Sequence, residues 1–244
     1  MSDEQILPLF GFTHCTILMV IVVLNAIILL LPKWMASAKA VSHVALALAM
    51  FMIIQEIADR TGHHVLRDVS LTQILPLHLC GVAVFLVPVM LVSQSYTLFE
   101  VLYFWGIGGA SVSLLTPDLA FPFPHPLTIT FFTSHAFIIT GVLYAMIYYG
   151  FRPRASSLLK AIIMTVAYAA AVAPVNILLG TNYLYICEKP RGFSVLDFLG
   201  PWPWYLPGMA AIALAVFALL YTPFPLLHRF FANHRTGDSQ ETAE

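Results

Sequence analysis

Long apolar stretches alternate with short polar ones along this chain of 244 residues. An α-helix of about 20 residues crosses about 30 Å of hydrocarbon, which matches the length of each stretch. The pattern therefore predicts an all-α fold, a polytopic membrane helix bundle with about seven transmembrane helices. The seven stretches lie near residues 12–31, 39–58, 74–93, 96–115, 128–149, 158–179 and 206–227.

The composition favours the same fold. Hydrophobic residues make up 60% of the chain and charged residues 9%, against about 25% charged residues in an average soluble domain. Strands of a membrane barrel are only about 10 residues long and alternate in polarity, so helices remain as the spanning structure. We assign residues 1–227 to one transmembrane helical domain and the polar residues 228–244 to a disordered C-terminal tail.

The charges indicate an orientation and exclude one class of partner. The net charge is −1 and no basic run is present, so we expect no nucleic-acid partner. Of the 11 Lys and Arg residues, four fall on the face of the N-terminus and seven on the opposite face. Because cytoplasmic loops are richer in Lys and Arg, this predicts an N-terminus outside and a C-terminus in the cytoplasm.

Polar side chains gather at one level of the predicted bundle. A polar group inside hydrocarbon costs several kcal/mol unless it is paired, so each one is a candidate functional group. In the predicted topology they lie toward the outer ends of helices 2, 3, 5 and 6. If these four helices converge, the side chains line a pocket that opens toward the outer leaflet. The residues are Gln55, Glu56, His78, Cys80, His135 and Asn176.

Cys80 and His135 are the strongest candidates for chemistry. A cysteine is a good nucleophile as the thiolate, and an imidazole can take its proton. Both residues lie about six or seven positions into predicted helices that start from the same face. His78 is about 200° away from Cys80 on a regular helix, which leaves it to orient the pair, donate to an oxyanion or bond a carbonyl. The plain alternatives are a small buried cysteine and a histidine that ties helices together.

Other classes of site are weaker. A retinal protein needs a lysine in its last helix, and none is present there. A zinc site built from Asp59, His63 and His135 stays a minor alternative. No Gly-x-Ser-x-Gly element supports serine chemistry, and Ser113 after a Gly-Gly pair is typical of tight helix packing.

Two further possibilities stay open. Proline-broken helices around a midplane site are typical of transporters, although no inverted repeat is evident. The polar groups here gather toward one interface instead, where a lipid headgroup or ester lies. Cys15 and Cys187 fall on the same predicted face, so an oxidising compartment would allow a disulfide between them.

Four local motifs stand out between helices 3 and 7. They are Leu75-Pro76-Leu77-His78-Leu79-Cys80; Phe121-Pro122-Phe123-Pro124-His125-Pro126 followed by Ser134-His135; Gly180-Thr181-Asn182-Tyr183-Leu184-Tyr185 with Lys189-Pro190; and Gly200-Pro201-Trp202-Pro203-Trp204-Tyr205. Together they resemble the bacterial YwaF-like integral membrane proteins, with helices 1 and 2 matching mainly in character. The resemblance implies a bacterial inner-membrane location.

The YwaF-like family looks related to a vertebrate transmembrane acyltransferase of ether-phospholipid remodelling that uses a cysteine nucleophile. The resemblance implies Cys80 as nucleophile, His135 as base and membrane phospholipid as partner. We expect a phospholipid transacylase or acyl hydrolase; the alternative is a small-molecule transporter or binding protein with a polar intramembrane site. This mechanism requires no metal and no organic cofactor. The expected supporting or substrate-binding residues are His78, Glu56, Asn176, Asn182 and Tyr183.

Overall fold

Seven long apolar helices make up most of the protein. The computed structural model describes residues 7–35, 37, 39–190 and 195–226, so the predicted tail 228–244 lies outside the described residues. Six of the helices are long and apolar enough to cross a bilayer, and the third is a shorter apolar helix, so the predicted polytopic helix bundle is confirmed. The helices are α1 Phe12–Trp34, α2 Ala40–Arg67, α3 Leu79–Ser93, α4 Tyr96–Leu115, α5 Pro126–Tyr148, α6 Ala155–Leu179 and α7 Tyr205–Tyr221.

The centre of the bundle consists of α2, α3, α4 and α5. α2 packs on both α3 and α5, α3 packs on α5, and α4 contacts α3 and α5. The remaining helices, α1, α6 and α7, expose most of their apolar side chains, as expected of a surface that faces lipid. The predicted convergence of helices 2, 3, 5 and 6 is therefore wrong in one member, because α4 takes the central place expected for α6.

A π-helical segment allows α4 to approach its neighbours. The helix is regular over Tyr96–Leu102 and Ala110–Leu115 and π-helical over Tyr103–Gly109. This segment contains three glycines, and a β-carbon at Gly106 would lie 3.0 Å from Ile138 Cγ2 of α5. Short π-helical turns inside α-helices occur frequently at functional sites.

Two helix boundaries differ from the predicted ones. α2 continues nine residues past position 58 and ends at Arg67, followed by the C-cap Asp68, whose φ of 51° is left-handed. Its 28 residues correspond to about 42 Å, longer than the hydrocarbon thickness. α3 begins at Leu79 rather than near residue 74, because Pro76 lacks an N–H and disfavours helical backbone before it.

The segment 69–78 between α2 and α3 is non-helical backbone beside membrane helices. Such backbone is tolerated only where protein or trapped water satisfies its polar groups. Three side chains from three different parts of the chain donate to carbonyl oxygens of this segment, so protein groups satisfy part of its backbone. The pairs are Arg60 Nη1 with Ile74 O, Tyr168 Oη with Leu77 O at 3.0 Å, and Tyr183 Oη with Thr72 O at 2.7 Å.

Candidate functional site

Cys80 is the second residue of α3. It follows the N-cap residue His78 and the first helical residue, Leu79. The expectation that it lies six or seven residues inside a helix is wrong, because α3 starts later than predicted. Its side chain is partly buried and packs against the core of the bundle. The first N–H groups of a helix have no intrahelical acceptor, so unpaired backbone donors lie in the same helical turn as this thiol.

The end of the π-helical segment forms the wall beside the thiol. Ser113 of α4 lies beside Cys80, with its side chain close enough to interact with the thiol. A β-carbon on Gly109, one turn earlier on the same face, would lie 3.2 Å from Cys80 Sγ. We expected only a packing role for Ser113 from the sequence; its four-residue spacing from Gly109 was the available signal for a shared helix face.

His135 presents one defined nitrogen. It is the tenth residue of α5, and its Nδ1 lies 2.7 Å from Phe131 O and 3.3 Å from Ser134 Oγ. A carbonyl oxygen only accepts hydrogen bonds, so Nδ1 carries the proton in the neutral ring. The other nitrogen, Nε2, then holds the free lone pair and is the basic atom.

The packing of α3 on α5 brings Cys80 and His135 to similar depths. A β-carbon at Gly141 of α5 would overlap Val87 Cγ1 of α3, so these two positions are level. Cys80 lies seven residues before Val87, about 10 Å, and His135 lies six before Gly141, about 9 Å. No hydrogen bond between the two side chains occurs in the described part of the chain; the packing supports the equal depth that we expected.

Asn176 holds a loop in place. The residue is 1% exposed near the end of α6, and all its hydrogen-bonding partners lie within the next seven residues. Its Nδ2 donates to Tyr183 O at 2.9 Å, and its Oδ1 accepts from Tyr183 N at 2.8 Å and Thr181 Oγ1 at 3.0 Å. The side chain is therefore occupied by protein partners.

Asn182 and Tyr183 also have protein partners. The Oδ1 of Asn182 accepts from the backbone N–H groups of Cys187 and Glu188 at 3.1 and 3.2 Å, and its Nδ2 donates to Glu188 O at 2.7 Å. Tyr183 is 3% exposed and bonds Thr72. These residues shape the loop that covers one side of the pocket described below.

His78 lies under that loop. Its ring centroid is 5.3 Å from those of both Tyr183 and Tyr185, and its Nδ1 accepts from Leu184 N at 3.4 Å. Leu184 and Tyr185 have φ of 63° and 53°, left-handed values that cost free energy for side chains of this size. Burial, and then the positive charge of Arg60, lower the pKa of His78, so the ring stays neutral near pH 7.

Glu56 is 3% exposed and forms an ion pair with Arg60 one turn further along α2. The Nη1 of Arg60 donates to Ile74 O, and its Nε is buried without a hydrogen-bond partner in the described residues. Gln55, the neighbour of Glu56, donates from Nε2 to Thr130 O at 3.2 Å. Sequence reasoning counted Arg60 only as a loop charge, although its four-residue spacing from Glu56 indicated the pair.

A pocket of about 690 Å³ opens at this end of the bundle, between the end of α2, the start of α3 and the loop after α6. We call this the pocket end of the bundle. Cys80 and His135 do not line the pocket, whereas Gly81, the residue after Cys80, does. The polar lining residues are Asp59, Arg60, His63, Arg67, Gln73, His78, Thr181, Asn182, Tyr183, Cys187 and Glu188.

The cysteines and the acidic residues limit the alternatives. Cys15, Cys80 and Cys187 are all free thiols, so the structure does not contain the Cys15–Cys187 disulfide that the sequence allowed. Asp59 pairs with His63 at 3.8 Å, but among the described residues no group of three or more His, Cys, Asp or Glu side chains is arranged to hold a metal ion.

A buried carboxylate lies on the other side of the protein from the pocket. Glu100 of α4 is 2% exposed, accepts from Ser157 Oγ at 2.8 Å and pairs with Lys160 of α6. The contact fastens α6 to α4 and explains in part why α6 lies outside the central group.

A bundle of apolar helices with a polar pocket at one end defines this chain as an integral membrane protein. The chain belongs to the TMEM164 family, whose model matches residues 9–221. It is similar to an uncharacterized protein of Treponema pallidum (strain Nichols), with 26% identity over 225 residues that cover 92% of each chain. No solved structure matches it.

Proposed function

We propose that the protein transfers acyl chains from membrane phospholipids, with Cys80 as the nucleophile and His135 as the general base. The observation that carries the proposal is the setting of the thiol. Cys80 lies in the first turn of α3 beside Ser113, at the depth of an imidazole whose basic Nε2 is free of its own helix. A thiol, a base and backbone donors are the groups that acyl transfer requires.

The reaction begins with proton transfer from Cys80 Sγ to His135 Nε2. The thiolate attacks the ester carbonyl carbon of the lipid, and the bond from this carbon to the glycerol oxygen breaks. The leaving oxygen takes the proton from Nε2–H, which releases a lysolipid and leaves an acyl thioester on Cys80. The hydroxyl of a second lysolipid, or water, then gives its proton to Nε2 and attacks the thioester. The sulfur leaves as thiolate and takes the proton back from Nε2–H.

Negative charge on the carbonyl oxygen needs donors that are fixed before reaction. The free N–H groups in the first turn of α3 and the hydroxyl of Ser113 are the best candidates. Asn176 and Asn182, expected as donors from the sequence, are bonded to the loop that they shape, and Glu56 is bonded to Arg60. We therefore assign these three residues to the support of the site.

The setting in the cell follows from the sequence. The distribution of Lys and Arg favours an outside N-terminus and a cytoplasmic C-terminus, which turns the pocket end toward the outer leaflet. The resemblance to bacterial YwaF-like proteins supports an inner-membrane location. Their relation to a vertebrate ether-phospholipid acyltransferase with a cysteine nucleophile supports the chemistry.

Intact-protein mass spectrometry after exposure to the p-nitrophenyl ester of a long-chain fatty acid tests the proposal. The background is a Cys15→Ala/Cys187→Ala protein, which removes the two exposed thiols and leaves Cys80 as the sole cysteine. We expect one acyl adduct in this background, none after a further Cys80→Ala change, and at least tenfold slower labelling after His135→Ala. Hydroxylamine should remove the adduct, as it does from thioesters.

Equal labelling of the Cys80→Ala protein, or no labelling of any protein, would contradict the cysteine mechanism. The transporter or binding-protein alternative would then become the leading hypothesis.

A further inference from the structure

The pocket holds an arginine with unused hydrogen-bond donors. Arg60 donates to Glu56 and to Ile74 O, while its Nε–H is buried and unpaired in the described residues. A guanidinium has five N–H donors, and Arg60 uses two of them on these protein acceptors. A ligand oxygen in the pocket can accept from the remaining N–H groups of Nη1 and Nη2.

The start of α3 lies against the same guanidinium. A β-carbon at Gly81 would lie 3.3 Å from Arg60 Nη2 and 3.1 Å from Pro76 Cα. Glycine at this position therefore lets the arginine approach the first turn of the helix. Gly81 and Arg60 both line the pocket. Free N–H groups at a helix start and an adjacent guanidinium are a recurrent arrangement for oxygen anions, phosphate above all.

A second arginine lies at the edge of the pocket. Arg67 is exposed; its Nη1 is 3.3 Å from His63 Nδ1, and its guanidinium is 5.8 Å from the ring centroid of Phe121. The carboxylate of Asp59 accepts from Thr130 and pairs with His63, so protein partners already occupy it. Arg60 and Arg67 thus place positive charge along the α2 side of the pocket, while the carboxylate of Glu188 lies in the loop after α6.

We infer that the pocket binds a phosphate group, with Arg60 and the first turn of α3 as its main contacts and Arg67 as a second cation at the edge. A volume of about 690 Å³ lies in the range of small-molecule sites and admits a phosphorylated headgroup. Two sources supply this chemistry, a phospholipid headgroup and free phosphate. The inference concerns binding alone and does not depend on a reaction at Cys80.

Native mass spectrometry in detergent provides the test. The ligands are a dioleoyl phospholipid, a dioleoylglycerol with the same chains but no phosphate, and inorganic phosphate as competitor. The principal variant is Glu56→Gln/Arg60→Gln, which removes both charges of the buried pair and so leaves no carboxylate unpaired. Arg152→Gln is the matched control, because Arg152 is exposed and bonds the backbone at Met146 and Phe151, away from the pocket.

We expect the double variant to bind the phospholipid at least fivefold more weakly than wild type, with unchanged binding of dioleoylglycerol. The control Arg152→Gln and the variant Cys80→Ala should bind both lipids as wild type does. If inorganic phosphate displaces the phospholipid from wild type, the site takes free phosphate as well; if it does not, the site takes the headgroup of a lipid. Either result supports a phosphate site when the double variant has lost affinity.

Equal binding of the phospholipid by wild type and the double variant would overturn the inference. If the double variant fails to fold, Gly81→Ala replaces it, because its β-carbon crowds Arg60 Nη2 from the side of the helix. Unchanged phospholipid binding by a folded Gly81→Ala protein would likewise contradict the inference. If the protein with an intact Cys80 binds phospholipid but forms no acyl adduct, the proposed reaction is contradicted and the phosphate site is not.

Discussion

Gly141 of α5 is in direct contact with Val87 of α3, and any side chain at position 141 would overlap Val87 Cγ1. Val87 is fully buried, so it has no free space into which to move. This contact sets the register between the two helices and thereby the relative depth of Cys80 and His135. The register between these two central helices thus affects the proposed chemistry.

A Gly141→Ala change should separate α3 from α5. Overpacking of a dense core costs about 1–3 kcal/mol, so we expect a lower thermal unfolding temperature in detergent and slower acylation of Cys80. A second change, Val87→Ala, removes the methyl group that the new β-carbon meets and should restore part of both losses. Strictly additive effects of the two changes would contradict the direct contact.

A substitution at Gly109, the glycine beside the thiol, tests directly whether the π-helical segment positions the sulfur. Gly109→Ala places a β-carbon 3.2 Å from Cys80 Sγ and should displace the thiol from Ser113, with slower acyl labelling. Gly108→Ala is the control, because its β-carbon would contact Val216 and Leu220 of α7 instead of the thiol. We expect at least a fivefold difference in labelling rate between the two variants. Equal rates would mean that the π-helical segment does not position the sulfur.

Asn176→Ala should mainly lower the stability of the protein rather than its affinity for a ligand. The change removes the partners of Tyr183 N, Tyr183 O and Thr181 Oγ1 in a buried place, which costs about 1–3 kcal/mol. Asn182→Ala, in the exposed part of the same loop, should cost less. The check is thermal unfolding of both variants without lipid. A stable Asn176→Ala protein with weak lipid binding would instead favour the role in binding expected from the sequence.

The buried carboxylate of α4 should depend on its partner. Lys160→Met leaves Glu100 buried without its cation and should destabilise the protein by about 1–3 kcal/mol, less than for a fully buried pair because Lys160 is half exposed. Glu100→Gln/Lys160→Met removes both charges and should be more stable than Lys160→Met alone. The comparison uses unfolding temperatures in one detergent; the reverse order would show that the pair contributes nothing.

The lowered pKa of His78 predicts how the stability of the folded protein changes with pH. Burial and the charge of Arg60 lower its pKa in the folded protein below the ordinary 6.5, so the unfolded chain binds the proton first as the pH falls. The stability that the neutral ring contributes is fully present above pH 6.5 and is lost below it, by at most about 1.4 kcal/mol per pH unit. His78→Asn should flatten the decline of unfolding temperature between pH 7 and pH 5. Identical slopes for the two proteins would contradict this role.

The sequence predicted the helices well because each apolar stretch matches the thickness of a bilayer. It misplaced the start of α3 because residues 74–77 are apolar yet not helical, and counting apolar residues does not distinguish the two. The equal depth of Cys80 and His135 was expected from their distances to the helix starts, although Cys80 lies much nearer to the start of its helix. The matching depth comes instead from the offset between α3 and α5.

The rest of the site depends on contacts between helices that no local pattern encodes. Ser113 reaches Cys80 from α4, which was not expected in the central group. Residue type and depth suggested ligand contacts for Asn176 and Asn182, but an amide that bonds a ligand and one that bonds a loop look the same in a sequence. Only the folded loop shows which partner each amide has.

The shortness of α3 has a consequence for the competition between nucleophiles. Its 15 residues span about 22 Å, roughly 8 Å less than the hydrocarbon thickness, and the non-helical segment 69–78 and the polar pocket lie at its N-terminal end. Water in this pocket would approach the first turn of α3, which carries the thiol, whereas acyl chains would approach from the lipid. Under the proposed reaction, the ratio of hydrolysis to acyl transfer should fall as a bound headgroup excludes more water from the pocket.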